Sequence, residues 1–203
     1  MSWLFPPERH GRLDSAPRLS LVPPAKVLGT LRPKPGQRYL DVGCGTGTYF
    51  FPVFEAMGGK GVFLAAELQE EMLRLFLNRL EAYQGHPGYA NIEVVRAKPD
   101  RLPLPDRCVD LITLVHVLHE VPDRVAYLRE MRRLLAPGGT LLVLEWRTPG
   151  EEPGLLSLSE PMGPPFEHRV AEQAACGDLQ AAGLGWPVSH AGFEQNWCVT
   201  SKG

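Results

Sequence analysis

No apolar run in the 203-residue sequence approaches the roughly 20 residues that a membrane-crossing helix takes, so no membrane span is expected. The opening MSWLFPPERHGRLD lacks the basic start and following apolar run of a secretory signal. Cysteines number only 4, and Cys44, Cys108, Cys176 and Cys198 are too scattered for a disulfide framework. A reducing, cytoplasmic setting is the natural expectation. An excess of one charge is missing too: 21 Lys plus Arg stand against 23 Asp plus Glu, for a net charge of -2. No overall basic field therefore draws in nucleic acid, and the Arg129, Arg132 and Arg133 cluster reads as a solvated helix face. No repeat is visible.

What the chain does have is 44% hydrophobic residues, enough to build a core, and 21 Gly and 20 Pro spread as short punctuations that read as tight turns. The first 36 residues are broken by proline. Within them Pro23-Pro24 open a short helix that carries Val27, Leu28 and Leu31 on its buried side. A segment of this kind lies over a pocket mouth or seals an edge of the core. Beyond Gly36, RYLDV (Arg38 to Val42) reads as a buried strand, TYFFPVFEAMGG as a helix with Pro52 in its first turn, and GVFLAAE (Gly61 to Glu67) as a second strand. Met72, Leu73, Phe76, Leu80 and Tyr83 follow helical spacing. IEVVRA (Ile92 to Ala97) and VDLITLV (Val109 to Val115) are a third and fourth strand. A helix is predicted from Asp123 to about Leu135, aligned on Val125, Leu128, Met131 and Leu135 and stopped by Pro137-Gly138-Gly139. TLLVLEW then gives a fifth strand. Next comes a long loop or lid over about 147–166, then a helix from about Glu167 to Ala182 with Val170, Ala174 and Leu179 inward. Two edge strands, joined near Gly192-Phe193, close the pattern. Apolar strands alternating with helices predict an α/β protein with a mostly parallel sheet covered on both faces. The expected plan is an N-terminal cap, 1–36, on a domain of 37–203.

The most informative segment is Leu40-Asp41-Val42-Gly43-Cys44-Gly45-Thr46-Gly47. A buried strand runs into glycines at alternate positions and then into a helix. Absent side chains let a ligand approach the backbone, and a helix start offers unpaired N–H groups. No Lys-Ser or Lys-Thr follows, so this is not a P-loop, and Thr48 stands where a dinucleotide fingerprint has its third glycine. About twenty residues past Gly47, the second strand ends in Glu67, a carboxylate placed to accept ribose hydroxyls.

This glycine turn with its acid resembles the class I S-adenosylmethionine-dependent methyltransferases, in the small type 11 branch that includes ubiquinone/menaquinone-biosynthesis-like proteins. LDVGCGTG is similar to that family's first motif, ELQEEML (Glu67 to Leu73) to the acidic second motif, LPLPDRCVD (Leu102 to Asp110) to the approach to the fourth strand, and LREMRRLLAPGGTLLVLEW to the helix, turn and fifth strand. The resemblance runs from roughly Pro24 to Ala182 and implies a Rossmann-like fold with seven strands in the order 3-2-1-4-5-7-6. It implies S-adenosyl-L-methionine as cofactor and S-adenosyl-L-homocysteine as product. By that resemblance Gly43, Cys44, Gly45 and Gly47 pass beneath the methionine part, Asp41 orients its amino group or the turn, Glu67 holds the ribose, Leu68 packs near the adenine, and Tyr49 lies beside the cofactor. One departure follows the third strand. Where many relatives carry Asp-Ala to meet the adenine edge, this chain has Lys98-Pro99, with no acceptor on the first and no N–H on the second. Asp100 is the nearby carboxylate that could bend in. Either the adenine pocket works differently or affinity is modest.

On the acceptor side, His116, His119, Glu145 and Arg169 are the candidate catalytic residues, with His116 also next to the cofactor. His119 reads as a base or as a pocket-wall histidine, and Arg169 as a pocket element or an ordinary ion-pair partner. The spacing H-x-x-H-E is not the zinc pattern H-E-x-x-H, so no metal is expected. Nor do the four cysteines form the convergent set an arsenite-type reaction wants. The reading is a methyltransferase acting on a small-molecule acceptor by direct displacement, as a monomer or homodimer. A non-catalytic protein that binds the cofactor or its product, and less readily a nicotinamide-dependent oxidoreductase, remain as alternatives.

Overall fold

The computed structural model describes residues 4–151 and 162–203. Seven strands form one sheet: β1 (Arg38–Val42), β2 (Val62–Glu67), β3 (Ile92–Arg96), β4 (Val109–Val115), β5 (Leu135–Trp146), β6 (Val188–Ser189) and β7 (Asn196–Lys202). Their order is β3-β2-β1-β4-β5-β7-β6. The first five pair in parallel, whereas β7 runs antiparallel to both β5 and β6. This is the Rossmann-like order expected from the resemblance.

Period-2 alternation sends each strand's side chains to two opposite cores. Leu40, Val42, Ile112, Leu114, Leu141 and Val143 face α5 (Arg124–Leu134) and α6 (Glu172–Ala181), which contribute Leu128, Met131 and Leu179. Tyr39, Phe63, Leu111, Leu142 and Leu144 face the other way, where α2 (Pro24–Leu31), α3 (Phe50–Ala56) and α4 (Glu70–Leu80) supply Val27, Phe50, Phe54 and Phe76. Before α2 come a 3-10 turn, Pro7–Arg12, and a short α1, Ala16–Leu21. Proline opens both α1 and α2, where a missing N–H costs nothing. The side chain of Asp123 accepts from Ala126 N–H at 2.9 Å and caps α5.

Several boundaries differ from the sequence expectation, each for a local reason. Pro137-Gly138-Gly139 lies inside β5, because that strand starts at Leu135 and absorbs the turn as an irregularity between the Val109–Leu135 and Leu111–Thr140 pairs. Gly139 is crowded there, since a Cβ would sit 2.9 Å from Ala136 O and 3.0 Å from Asp110 O. The helix expected from Glu167 starts only at Glu172, after a 3-10 turn Phe166–His168 and an extended Arg169. That shift turns Ala175 inward and leaves Ala174 exposed. Leu28 is only partly buried. Of the two C-terminal strands only β6 is an edge, and β7 is enclosed between β5 and β6.

The aromatic side of the core sets the position of α3, the helix that follows the glycine turn. Phe76 is fully buried, stacked on Phe51 at 5.1 Å between ring centroids and edge-on to Phe50 at 5.0 Å. Phe76→Ala is expected to cost about 3–5 kcal/mol of stability, read as a lower urea midpoint with an unchanged denaturant slope.

Candidate active site

A cavity of about 320 Å³ opens at the carboxyl end of the parallel strands, where ligands of open α/β sheets bind. Its floor is the turn after β1. Gly43 and Gly45 have φ of +69° and +54°, in the left-handed region that favours glycine. A Cβ on Gly43 would come within 2.5 Å of Val117. Gly43, Cys44 and Gly45 line the cavity, while Gly47 does not, and a Cβ there would collide with the Phe51 ring. Gly47 is therefore a packing glycine.

Two buried carboxylates stand at adjacent strand ends. Asp41 Oδ1 accepts from Thr113 Oγ1 at 2.7 Å, and Thr113 in turn is 2.8 Å from Tyr39 Oη. Burial pushes the Asp41 carboxyl up to about 7, against the Thr113 hydrogen bond and helped by the nearby charge of Glu67. Glu67 accepts three backbone N–H groups: Gly45 on Oε2 at 3.0 Å, Leu68 and Gln69 on Oε1 at 2.7 and 2.9 Å. Burial still wins over these bonds and raises its pKa. A carboxylate has about four lone-pair positions, so one on Oε2 stays open to a ligand hydroxyl.

Past β4, His116 has φ of +59° and its ring stacks on Trp146 with centroids 4.6 Å apart. Arg18 Nη2 lies 2.9 Å from its Nδ1, and Asn196 Oδ1 lies 2.7 Å from its Nε2. A guanidinium can only donate, so Nδ1 accepts and Nε2 carries the proton to Asn196. Burial, then the charge of Arg18, hold His116 well below the ordinary imidazole range. Both ring nitrogens are thus engaged within the fold. His119 differs. Its Nδ1 is 2.7 Å from Glu145 Oε2, and its backbone N–H donates to Glu145 Oε1 at 3.2 Å. The carboxylate accepts, so Nδ1 is protonated and the neutral ring has its lone pair on Nε2, 4.0 Å from Glu120 Oε1. Burial opposes a charged imidazole here, yet Glu145 by charge and hydrogen bond, with Glu120 behind it, raises the His119 pKa. His119 lines the cavity, and Glu145, buried and outside the lining, holds its Nδ1.

Tyr49 and Leu68 line the cavity, and Tyr49 Oη donates to Val22 O at 3.1 Å. Lys98 and Pro99 form part of the wall. Asp100 is exposed and outside the lining, because the chain turns away at Pro99. Arg169 is outside it too. Its guanidinium donates to the carbonyls of Met162, Pro164 and Arg147, and so shapes the Met162–Gly163–Pro164 wall from behind. The middle of the expected lid, 152–161, lies outside the described residues. Among the described residues no group of three or more His, Cys, Asp or Glu could hold a metal ion, and no helix is long and apolar enough to cross a membrane.

Residues 24–155 match the ubiE/COQ5 methyltransferase family. The chain belongs to that family. Curated relatives include the ubiquinone/menaquinone biosynthesis C-methyltransferase UbiE of Vibrio cholerae serotype O1, 40% identical over 120 residues, which are 59% of this chain and 45% of that protein. UbiE of Shewanella sp. (strain ANA-3) is 38% identical over 119 residues, 59% of this chain and 46% of that protein. The chain thus spans about half the length of the curated relatives it matches. A crystal structure of a SAM dependent methyltransferase from Aquifex aeolicus superposes with a TM-score of 0.83 at 28% identity, over 98% of this chain and 99% of that one. At 22% identity and a TM-score of 0.64, CalH in complex with SAH shares the fold over 83% of this chain and 51% of its own.

The family match covers the glycine turn, Glu67, His116, His119 and Glu145 but stops short of much of the wall. Leu4, Phe5, Pro6, Arg9, Arg12, Leu13 and Arg18 come from the segment before it. Sequence reasoning named that segment as a possible cover without singling out Arg18 or Asp14. Asp14 accepts from the Thr46 and Thr48 hydroxyls at 2.8 Å each and ties the segment to the glycine turn. A weak signal existed in the hydroxyl residues that alternate with the glycines.

The raised Asp41 pKa makes a stability prediction. A carboxylate with a pKa near 7 when folded and near 4 when unfolded supports the fold below pH 4 and loses that support as pH rises through 7. Asp41→Asn keeps the oxygen that Thr113 needs. The ligand-free variant is expected to be more stable than the parent at pH 8, by on the order of a few kcal/mol, with the gap shrinking from pH 7 to pH 4 in urea titrations.

Proposed function

We propose that this chain transfers a methyl group from S-adenosyl-L-methionine to a small-molecule acceptor that gives up a proton as it is methylated. The observation that carries the reading is the pair of buried carboxylates, Asp41 and Glu67, flanking an apolar cavity floored by the backbone of Gly43 to Gly45. The residues fit the donor. Asp41, ready to ionise beside a cation, suits the ammonium of the amino-acid end. The open position on Glu67 Oε2 suits a ribose hydroxyl, and Leu68 and Met72 give apolar surface for the base. When bound, the donor supplies an electrophilic methyl on a good leaving group, so this chain's residues have mainly to align the partners and exclude water. Leu4, Phe5, Leu13, Trp146 and the Met162–Pro164 wall do the excluding. His119 Nε2, backed by Glu145, takes the acceptor's proton.

In this reading residues 1–36 act as a cap on the 37–203 domain, and Trp146 with Met162–Pro164 forms the wall on the acceptor side. The setting is cytoplasmic, with all four cysteines free. The lack of an acceptor or N–H at Lys98-Pro99 favours one second reading, ligand binding without turnover. A fold alone does not decide between them: the structure of the [4+2]-cyclase SpnF shares this architecture at 16% identity and a TM-score of 0.65.

Calorimetric titration with S-adenosylmethionine, S-adenosylhomocysteine and NAD is the first test. The first two should bind and NAD should not. Glu67→Ala should weaken them about 10- to 100-fold, the loss typical of a buried charged acceptor; binding of none of the three sinks the reading. Turnover on a panel of acceptors then separates an enzyme from a sensor. With an acceptor in hand, His119→Asn should lower turnover by about 10²–10⁴-fold and leave donor affinity unchanged. Glu145→Gln should move the acidic limb of the pH–rate profile to lower pH, because it removes the charge that raises the His119 pKa.

A further inference from the structure

Arg18 is the unusual cation of this molecule. Carried on α1, it is 7% exposed and lines the cavity. Its Nη1 donates to Leu13 O at 2.6 Å, its Nη2 donates to His116 Nδ1 at 2.9 Å, and its guanidinium carbon stands 5.4 Å from the centre of the Tyr49 ring. All three partners are neutral. Arg38, Arg124, Arg133 and Arg147, all more exposed, each pair with a carboxylate, whereas Arg18 has no ion pair among the described residues. Asp41, Glu67 and Glu120 also line the cavity, but their hydrogen bonds run to Thr113, to the backbone of Gly45, Leu68 and Gln69, and to Phe5 N–H, and none forms an ion pair with Arg18 among the described residues. Burying a charge without a partner is expensive. A guanidinium has five N–H donors in a fork that matches a carboxylate, and the bonds to Leu13 and His116 use two of them.

We propose that Arg18 is a carboxylate-binding subsite of the cavity, completed by a ligand whose carboxylate lies against the guanidinium beside Tyr49 and His116. It deepens the methyl-transfer reading and rests on it for what the ligand is. The carboxylate has two possible sources: the amino-acid end of the methyl donor, or an acid group on the acceptor. Arginine enters the site from the N-terminal segment, so this cap contributes binding chemistry as well as cover.

The test is calorimetry on the full chain with three probes: S-adenosylhomocysteine, 5′-methylthioadenosine, which keeps the nucleoside but has no carboxylate, and benzoate. In the parent protein benzoate should bind alongside 5′-methylthioadenosine. If the donor is the source, benzoate competes with S-adenosylhomocysteine, and Arg18→Gln weakens S-adenosylhomocysteine about 10- to 100-fold while leaving 5′-methylthioadenosine unchanged. If the acceptor is the source, benzoate binds alongside S-adenosylhomocysteine as well, and Arg18→Gln abolishes benzoate binding alone. Arg18→Lys should restore part of either loss. The proposal is overturned if benzoate fails to bind the parent protein with 5′-methylthioadenosine present, an outcome that needs no folded variant. It is overturned equally if Arg18→Gln weakens both nucleosides by the same factor, or leaves benzoate binding intact. Should neither nucleoside bind while benzoate still binds through Arg18, the methyl-transfer reading fails and the subsite stands.

Discussion

The open end of the sheet depends on one carboxylate. Glu67 draws together the N–H of Gly45, from the turn after β1, and those of Leu68 and Gln69, from the approach to α4. Three donors from two connections converge on one side chain, so the floor and one wall of the cavity are set relative to each other before any ligand arrives. An amide in its place would offer an N–H to at least one of these N–H groups and break the arrangement. The same charge makes its neighbour Asp41 harder to ionise. Two buried carboxylates so close carry an electrostatic cost that a cation beside them would relieve, and this ties the charge of the site to the way the turn is built.

Around that floor polar bonds fasten the first part of the N-terminal segment, while its later part packs Val22, Val27 and Leu31 into the core. Asp14 holds Thr46 and Thr48 and pairs with Arg79 at 3.2 Å. Phe5 N–H reaches Glu120 at 2.8 Å, and Gln69 Nε2 donates to Phe5 O at 3.0 Å. Arg18 reaches His116, whose other nitrogen reaches Asn196 on β7. The part of the cavity beyond β4 is therefore assembled from the first helix, the end of β4 and the last strand together.

The parts legible in the sequence are those governed by local rules. β1 and β4 follow from short apolar runs bounded by turns, and their predicted limits match the structure residue for residue. The glycine turn and Glu67 were legible because backbone approach and a strand-end acid need particular residue types at fixed spacing. Glu145 was legible as a strand-end acid, though not as the residue that orients His119. The start of α6 was misjudged because Arg169 is held extended by carbonyls that only the folded loop supplies. His116 read as a candidate catalytic group until its two partners, Arg18 and Asn196, came into view. Neither partner follows any periodicity, and each lies far from His116 along the chain.

Those separations have a kinetic meaning. The bonds that complete the cavity join residues 115, 98 and 80 positions apart, and each closes a long loop at an entropic cost that few apolar contacts offset. Between the strands, by contrast, backbone ladders and two packed cores do most of the holding. Such long-range bonds incur loop-closure entropy before they add stability, and parts of a fold with few buried apolar contacts open first in the native state. The cavity therefore joins a floor anchored in the most protected part of the fold to a roof anchored in one of the least.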